Sequence, residues 1–177
     1  MLMMLLLLAT STISIDIDAE TPLPEVVEEG RTARTACEDA SVVLPDMLYA
    51  KGVGYTDILN PVVSARLDRC AELVAKVEAQ GEEMVLTTIA VAYVESNFNP
   101  DAIGAAGERG MLQVIPRYHC VDVFSDGQGG CVNPEGAGIK FLAHLRSKYT
   151  SNEALRRYNG SQVYATKVGG YVRQLEG

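Results

Sequence analysis

Apolar positions recur along most of this chain at helical spacing. The chain opens with nine unbroken apolar residues, Met1 to Ala9. Any lasting period is then lost through "IDIDAETPLPEVVEEGRTARTA", Ile15 to Ala36, where prolines and acids interrupt it. That stretch reads as a linker. In "LPDMLYAKGVGYTD" short apolar clusters alternate with Gly and Asp, which predicts loop with at most one helical turn. Asn60-Pro61 supplies an N-cap and a first helical position. Val62, Val63, Leu67, Leu73, Val74 and Val77 follow at helical spacing, and Gln80-Gly81 ends that helix. Glu82-Glu83 opens the next with acids in its first turn. Its apolar run, Met84, Val85, Ile89, Val91, Ala92 and Tyr93, leads to Glu95. "IPRYHCVDVFSDGQGGC" alone has strand-like composition and predicts a short β-ribbon or an irregular loop. Asn133-Pro134 caps a helix through "EGAGIKFLAHLRSKY", Ser151 caps "NEALRRYN", and a last helix covers Gln162 to Leu175. The expectation is an all-α fold of five or so helices with at most a short β-ribbon. An apolar leader (1–20) and an acidic arm (21–50) precede a single domain (51–177).

Charge sharpens that division. Asp16 to Ala40 carries eight acids against two bases, whereas Gly136 to the C-terminus carries seven bases against two acids. Most of the net charge of -8 therefore belongs to the arm. Such a balance argues against a nucleic-acid partner. The basic last third suits an anionic polymer or simply a solvated helix surface. The apolar leader is far shorter than the ~20 residues that span a bilayer, so no stable membrane span is expected. With Ala9-Thr10-Ser11 behind it, the leader fits a secretory signal, although no Lys or Arg precedes it. A buried N-terminal strand or an uncleaved anchor would also account for the run.

Four cysteines, none in a C-x-x-C pair, allow three connectivities. Cys120–Cys131 is the natural pairing because it closes "VDVFSDGQGG", and Cys37–Cys70 would then pin the arm to the body. A short closed loop gains about 3 kcal/mol in the chain-entropy model. Disulfides and an apolar leader together predict export, to the periplasm or cell envelope. Free buried thiols are the plainer reading.

The chemistry concentrates in "ESNFNPDAIGAAGERGMLQV", Glu95 to Val114. Glu95 ends an apolar helix, with Val91 and Ala92 one turn away. A carboxyl in such surroundings is poorly solvated and holds its proton above the usual ~4.3, as a general acid requires. A Glu at a fraying helix end in water is the competing reading. The frame of Glu95, Ser96, Phe98, Pro100, Ala102, Gly107, Gly110 and Gln113, with Met111-Leu112 before the Gln, resembles the signature of soluble, lysozyme-like (SLT-domain) lytic transglycosylases, which also occur in phages. Asn133 with Gly138 and Leu142, and then "ALRRYNGS" with Tyr158 and Asn159, match two further elements in order and separation. The resemblance covers about Glu82 to Leu175. It departs from the family pattern at Gly104, usually Ser, at Glu108, usually Ala, in the order Met111-Leu112, and at Gly160-Ser161 where Ala-Gly is usual.

The resemblance implies a lysozyme-like domain that cleaves the β-1,4 bond between N-acetylmuramic acid and N-acetylglucosamine in peptidoglycan glycan strands. Glu95 would act as the single catalytic acid and base. It would first protonate the glycosidic oxygen, then take the proton of the muramic 6-hydroxyl as that oxygen closes a 1,6-anhydro ring. Gln113, Tyr158 and Asn159 would bind substrate or orient Glu95, with Ser96 and Met111 beside them. By residue type alone, Tyr158 could be core packing, Asn159 a helix cap and Ser96 a backbone hydrogen-bonder. No cofactor and no metal are expected, since His119 and His144 are lone histidines without ligand spacing. A goose-type lysozyme would instead need a second acid to aim a water, and Asp101 and Glu108 are the residues available. The chain could also be a non-catalytic glycan-binding or virion structural module, or a peptidase built on Cys120 with His119 or His144. If the chain is phage-encoded, a virion location replaces the envelope.

Overall fold

Helix α3 (Glu82–Ser96) is buried along its middle on every side, with Thr87 through Ala92 all inside, and the helices Pro61–Ala75 and Gln162–Glu176 pack against it. A helix apolar all round belongs in a core. The computed structural model describes residues 29–43 and 61–177. The expected leader, the loop around residues 44–57 and the Asn60 cap lie outside them. Seven α-helices occur among the described residues: α1 (Glu29–Val43), α2 (Pro61–Ala75), α3, α4 (Pro116–His119), α5 (Pro134–Lys148), α6 (Ser151–Asn159) and α7 (Gln162–Glu176). There is no strand among these residues. Three isolated antiparallel bridges, Ile103–Arg109, Arg109–Val114 and Ser125–Cys131, are the only sheet-like pairing among them. The fold is all-α.

One expectation needs correction: helix α1 lies in the stretch read partly as linker. Its seam is made of small residues, Ala33, Cys37 and Ala40, each at most 1% exposed and one helical turn apart. Small residues give little apolar signal but let two helices approach closely. The Cys37–Cys70 disulfide ties α1 to α2 with the Cα atoms 6.0 Å apart. Of the two forms expected for the stretch after Ile115, the structure shows the irregular loop. Pro116 starts the one-turn helix α4, a 3-10 turn follows at Asp122–Phe124, and Cys120–Cys131 closes the loop. Asp126 organises that loop by accepting from the amides of Gln128 (2.7 Å) and Gly130 (2.8 Å).

Cap chemistry was legible with one shift. Asn133 Oδ1 accepts from the Gly136 amide at 2.9 Å, as expected of an N-cap before Pro134. Ser151 is the first helical residue of α6 and not its cap, which is Thr150. Its hydroxyl instead donates to Glu83 at 3.0 Å. Glu83 also pairs with Arg146, whose guanidinium donates to Thr87 at 2.8 Å. This half-buried cluster fixes the start of α3 against α5 and α6, leaving the other end of α3 to carry the site.

Candidate active site

Helix α3 ends in a strained turn. Asn97 and Phe98 both adopt left-handed backbone, with φ of 51° and 59°. For Phe this is costly, and surrounding packing must enforce it. Phe98 is 1% exposed, so its ring is gripped by the core. Ser96 Oγ donates to the Met111 carbonyl at 2.9 Å and to Ala92 at 3.3 Å. The returning loop is thus fastened to the helix end one residue after Glu95.

The loop is shaped from both sides. Gly110 has φ of 74°, and a Cβ there would stand 2.7 Å from Glu135 Oε1. No other residue fits both the backbone and the space. Glu135, in the first turn of α5, accepts from the Met111 amide at 3.2 Å. Gly138 lets the same helix press against Leu112, whose Cβ would be 2.8 Å from a Cβ at that position. Gln113, with φ of 46°, donates its side-chain amide to the carbonyls of Gly110 (2.9 Å) and Ala102 (3.2 Å). Its donors therefore brace the loop, and its oxygen is what it offers outward.

These elements enclose a hollow of about 170 Å³ lined by Glu95, Gly104, Glu108, Gln113, His119, Phe141, Tyr158 and Asn159, among others. A larger cleft of about 610 Å³ runs from Asp101 and Arg109 to Arg117 and Gly130, and Ile115 borders both. The larger cleft does not contain Glu95.

Burial pushes the Glu95 carboxyl above its ordinary range. The side chains of Tyr164 and Asn159 work against that by favouring the ionised form, and the negative charge of Glu108 reinforces it. The Tyr164 hydroxyl is buried and makes no hydrogen bond of good geometry, yet it stands close enough to the carboxyl to be felt. Tyr158 donates its hydroxyl proton to the Leu112 carbonyl at 2.7 Å. Burial, and then the Glu95 charge, push that phenol upward, so its proton stays on. His119 accepts the Ile115 amide at Nδ1 (2.9 Å) and stacks on Phe141 at 4.4 Å. Burial lowers its pKa and favours the neutral ring.

Of the residues singled out from sequence, Glu95, Gln113, Tyr158 and Asn159 meet at one hollow. Ser96 is adjacent but engaged with backbone. Met111 is not at the hollow: its side chain is 2% exposed and packs in the core. Its place within the motif groups it with the substrate-binding residues, but it contributes through its amide and carbonyl only. Tyr164 and Glu135 were missed. Tyr164 is set by the Ser161 cap, which accepts the Tyr164 amide at 3.3 Å, but nothing local tells that α7 lies beside the end of α3. Cys120 is disulfide-bonded, with its Cα 5.3 Å from that of Cys131, which removes the thiol a peptidase would need.

The family model described as "Transglycosylase SLT domain" matches residues 72–176, well over half of the chain. The chain belongs to the SLT transglycosylase domain family. It is similar to membrane-bound lytic murein transglycosylase C of Glaesserella parasuis serovar 5 (strain SH0165), at 30% identity over 64% of this chain and 35% of that protein. It is also similar to the protein of that name from Actinobacillus pleuropneumoniae serotype 5b (strain L20), at 31% identity over 50% of this chain and 28% of that one. The chain thus aligns with about a third of the length of these relatives. No solved structure matches it. The SLT match spans α3 through α7 and so contains every residue of the Glu95 hollow. Helix α1 lies outside it.

Proposed function

We propose that this protein is a peptidoglycan lytic transglycosylase. It cleaves the β-1,4 bond between N-acetylmuramic acid and N-acetylglucosamine and leaves 1,6-anhydro ends. The observation that carries the reading is Glu95. Its carboxyl sits at the end of the most buried helix, desolvated enough to hold a proton, in the wall of a hollow that shares Ile115 with a larger cleft.

In the first step Glu95 donates that proton to the glycosidic oxygen, so that the leaving sugar departs as an alcohol. In the second, the Glu95 carboxylate takes the proton of the muramic 6-hydroxyl while its oxygen bonds to the anomeric carbon. The substrate supplies its own nucleophile, and the gain is one of proximity. Asn159 orients the carboxyl, Gln113 presents its oxygen to a sugar hydroxyl or N–H, and Tyr158 holds the loop that carries Gln113. The larger cleft receives the glycan strand. Two disulfides fit an oxidising compartment, which supports export to the cell envelope.

The test is release of soluble muropeptides from purified peptidoglycan. Glu95→Gln keeps the shape and removes the transferable proton, so the rate falls by about 10²–10⁴-fold while the fold is kept. A Gln variant with near-native activity sinks the assignment.

A further inference from the structure

Gly104 is not a glycine for its backbone. Its φ lies outside the left-handed region, so an L side chain is conformationally allowed there. Space forbids it. A Cβ on residue 104 would stand 2.2 Å from Glu108 Oε2 and 2.8 Å from Gln113 Oε1. The Glu108 carboxylate fills the volume that a side chain at 104 would take. It is held there by the Ala106 amide, which donates to Oε2 at 2.9 Å. Residues 104 and 108 are also paired by backbone, the Gly104 amide donating to the Glu108 carbonyl at 3.0 Å. Glu95 and Glu108 line the same hollow of about 170 Å³.

We propose that Glu108 is a second, positioning carboxylate of this site, admitted to the hollow beside Glu95 by the missing side chain at Gly104. The proposal deepens the transglycosylase reading, and the role it assigns rests on that reading. The other groups facing Glu95 do not supply such a charge. The α6 side chains Tyr158 and Asn159 are neutral, Tyr164 on α7 is a phenol, α5 contributes Phe141, and His119 on α4 is favoured as the neutral ring. Glu108 is the one anion of the loop that reaches this hollow, and its charge makes ionisation of Glu95 harder. That keeps Glu95 an acid to higher pH, which the first step requires. Once Glu95 has given up its proton, the same charge makes its carboxylate a stronger base for the second.

Two measurements on the full chain test this. The first is the titration of the Glu95 side-chain carboxyl by ¹³C NMR, which needs no substrate. Glu108→Gln keeps an oxygen for the Ala106 amide and removes the charge. The Glu95 midpoint should fall by about half a pH unit or more, the size expected for one nearby charge in a partly solvated site. Gly104→Ala should lower the midpoint in the same direction with Glu108 intact, because its methyl displaces the carboxylate. The double variant should go no lower than Glu108→Gln alone. The second measurement is the pH profile of muropeptide release, whose alkaline limb should move down with the midpoint. An unchanged midpoint in Glu108→Gln overturns the proposal. A midpoint that moves in Glu108→Gln but not in folded Gly104→Ala overturns the part assigned to Gly104. If the midpoints move as expected but the wild type releases nothing, the coupling stands and the transglycosylase reading fails.

Discussion

The Tyr158 hydroxyl donates to the Leu112 carbonyl at 2.7 Å across 46 residues of chain. The bond joins α6 to the loop immediately before Gln113, one wall of the Glu95 hollow to another. Its partner is a residue with 0% exposure, so the carbonyl has no water to turn to. Losing the donor therefore costs more than the bond is worth in water. Tyr158→Phe should destabilise the protein by about 1–3 kcal/mol. A urea unfolding curve shows this as a lower midpoint at unchanged slope. An unaltered midpoint would mean that the hydroxyl does not hold the loop.

Glu95 should make stability fall with rising pH. Its folded-state pKa is raised by burial, so the folded protein binds this proton more tightly than the unfolded chain does. The contribution is fully present below the ordinary carboxyl range, near ~4.3. It is lost as pH rises through the raised value. Glu95→Gln removes the ionisable group and with it the loss. Thermal melts of the two proteins should coincide near pH 4 and separate at pH 8, with the Gln variant melting higher. A variant that melts lower at pH 8 would show that the ionised carboxyl is well satisfied, against the raised pKa.

The loop closed by Cys120–Cys131 borders the larger cleft through Gly129, Gly130 and Cys131. Replacing both cysteines by Ser should cost about 3 kcal/mol of stability in the chain-entropy model. The loop lies away from Glu95, so KM for glycan should rise more than kcat falls. Peptide mapping of unreduced protein checks the bond itself. Free thiols at both positions would remove this prediction and the argument for an oxidising compartment.

What the sequence yields follows from how far each signal reaches. The apolar run into Glu95, the Asn133-Pro134 cap and the helix from Gln162 are local patterns, and each lies where the spacing puts it. Helix α1 was hidden because its buried seam is Ala33, Cys37 and Ala40, which carry little hydrophobic signal. Its docking on α2 came only through the cysteine pairing. The Glu95, Gln113, Tyr158 and Asn159 constellation was legible because fixed spacing within the motif stands in for three-dimensional proximity. Tyr164 and Glu135 were not legible. Each acts on the site from a different helix, and no spacing along the chain links them to it. The Gly104–Glu108 pair falls between: both residues stood out as departures from the motif, but that one occupies the other's space needed coordinates.

The most direct test of the account is the chemical nature of the muramic ends. Closing the 6-hydroxyl onto the anomeric carbon needs one group that gives and then takes a proton, and Glu95 can do both. Hydrolysis needs a water held against that carbon and a second group to aim it, and Glu108 is the other carboxylate that lines the hollow. Purified peptidoglycan is digested, half of the product is treated with borohydride, and the muropeptide masses are compared. The account predicts anhydro-muramyl ends, whose masses do not change on treatment. Muramic ends that gain hydrogen would contradict it and make the protein a hydrolase.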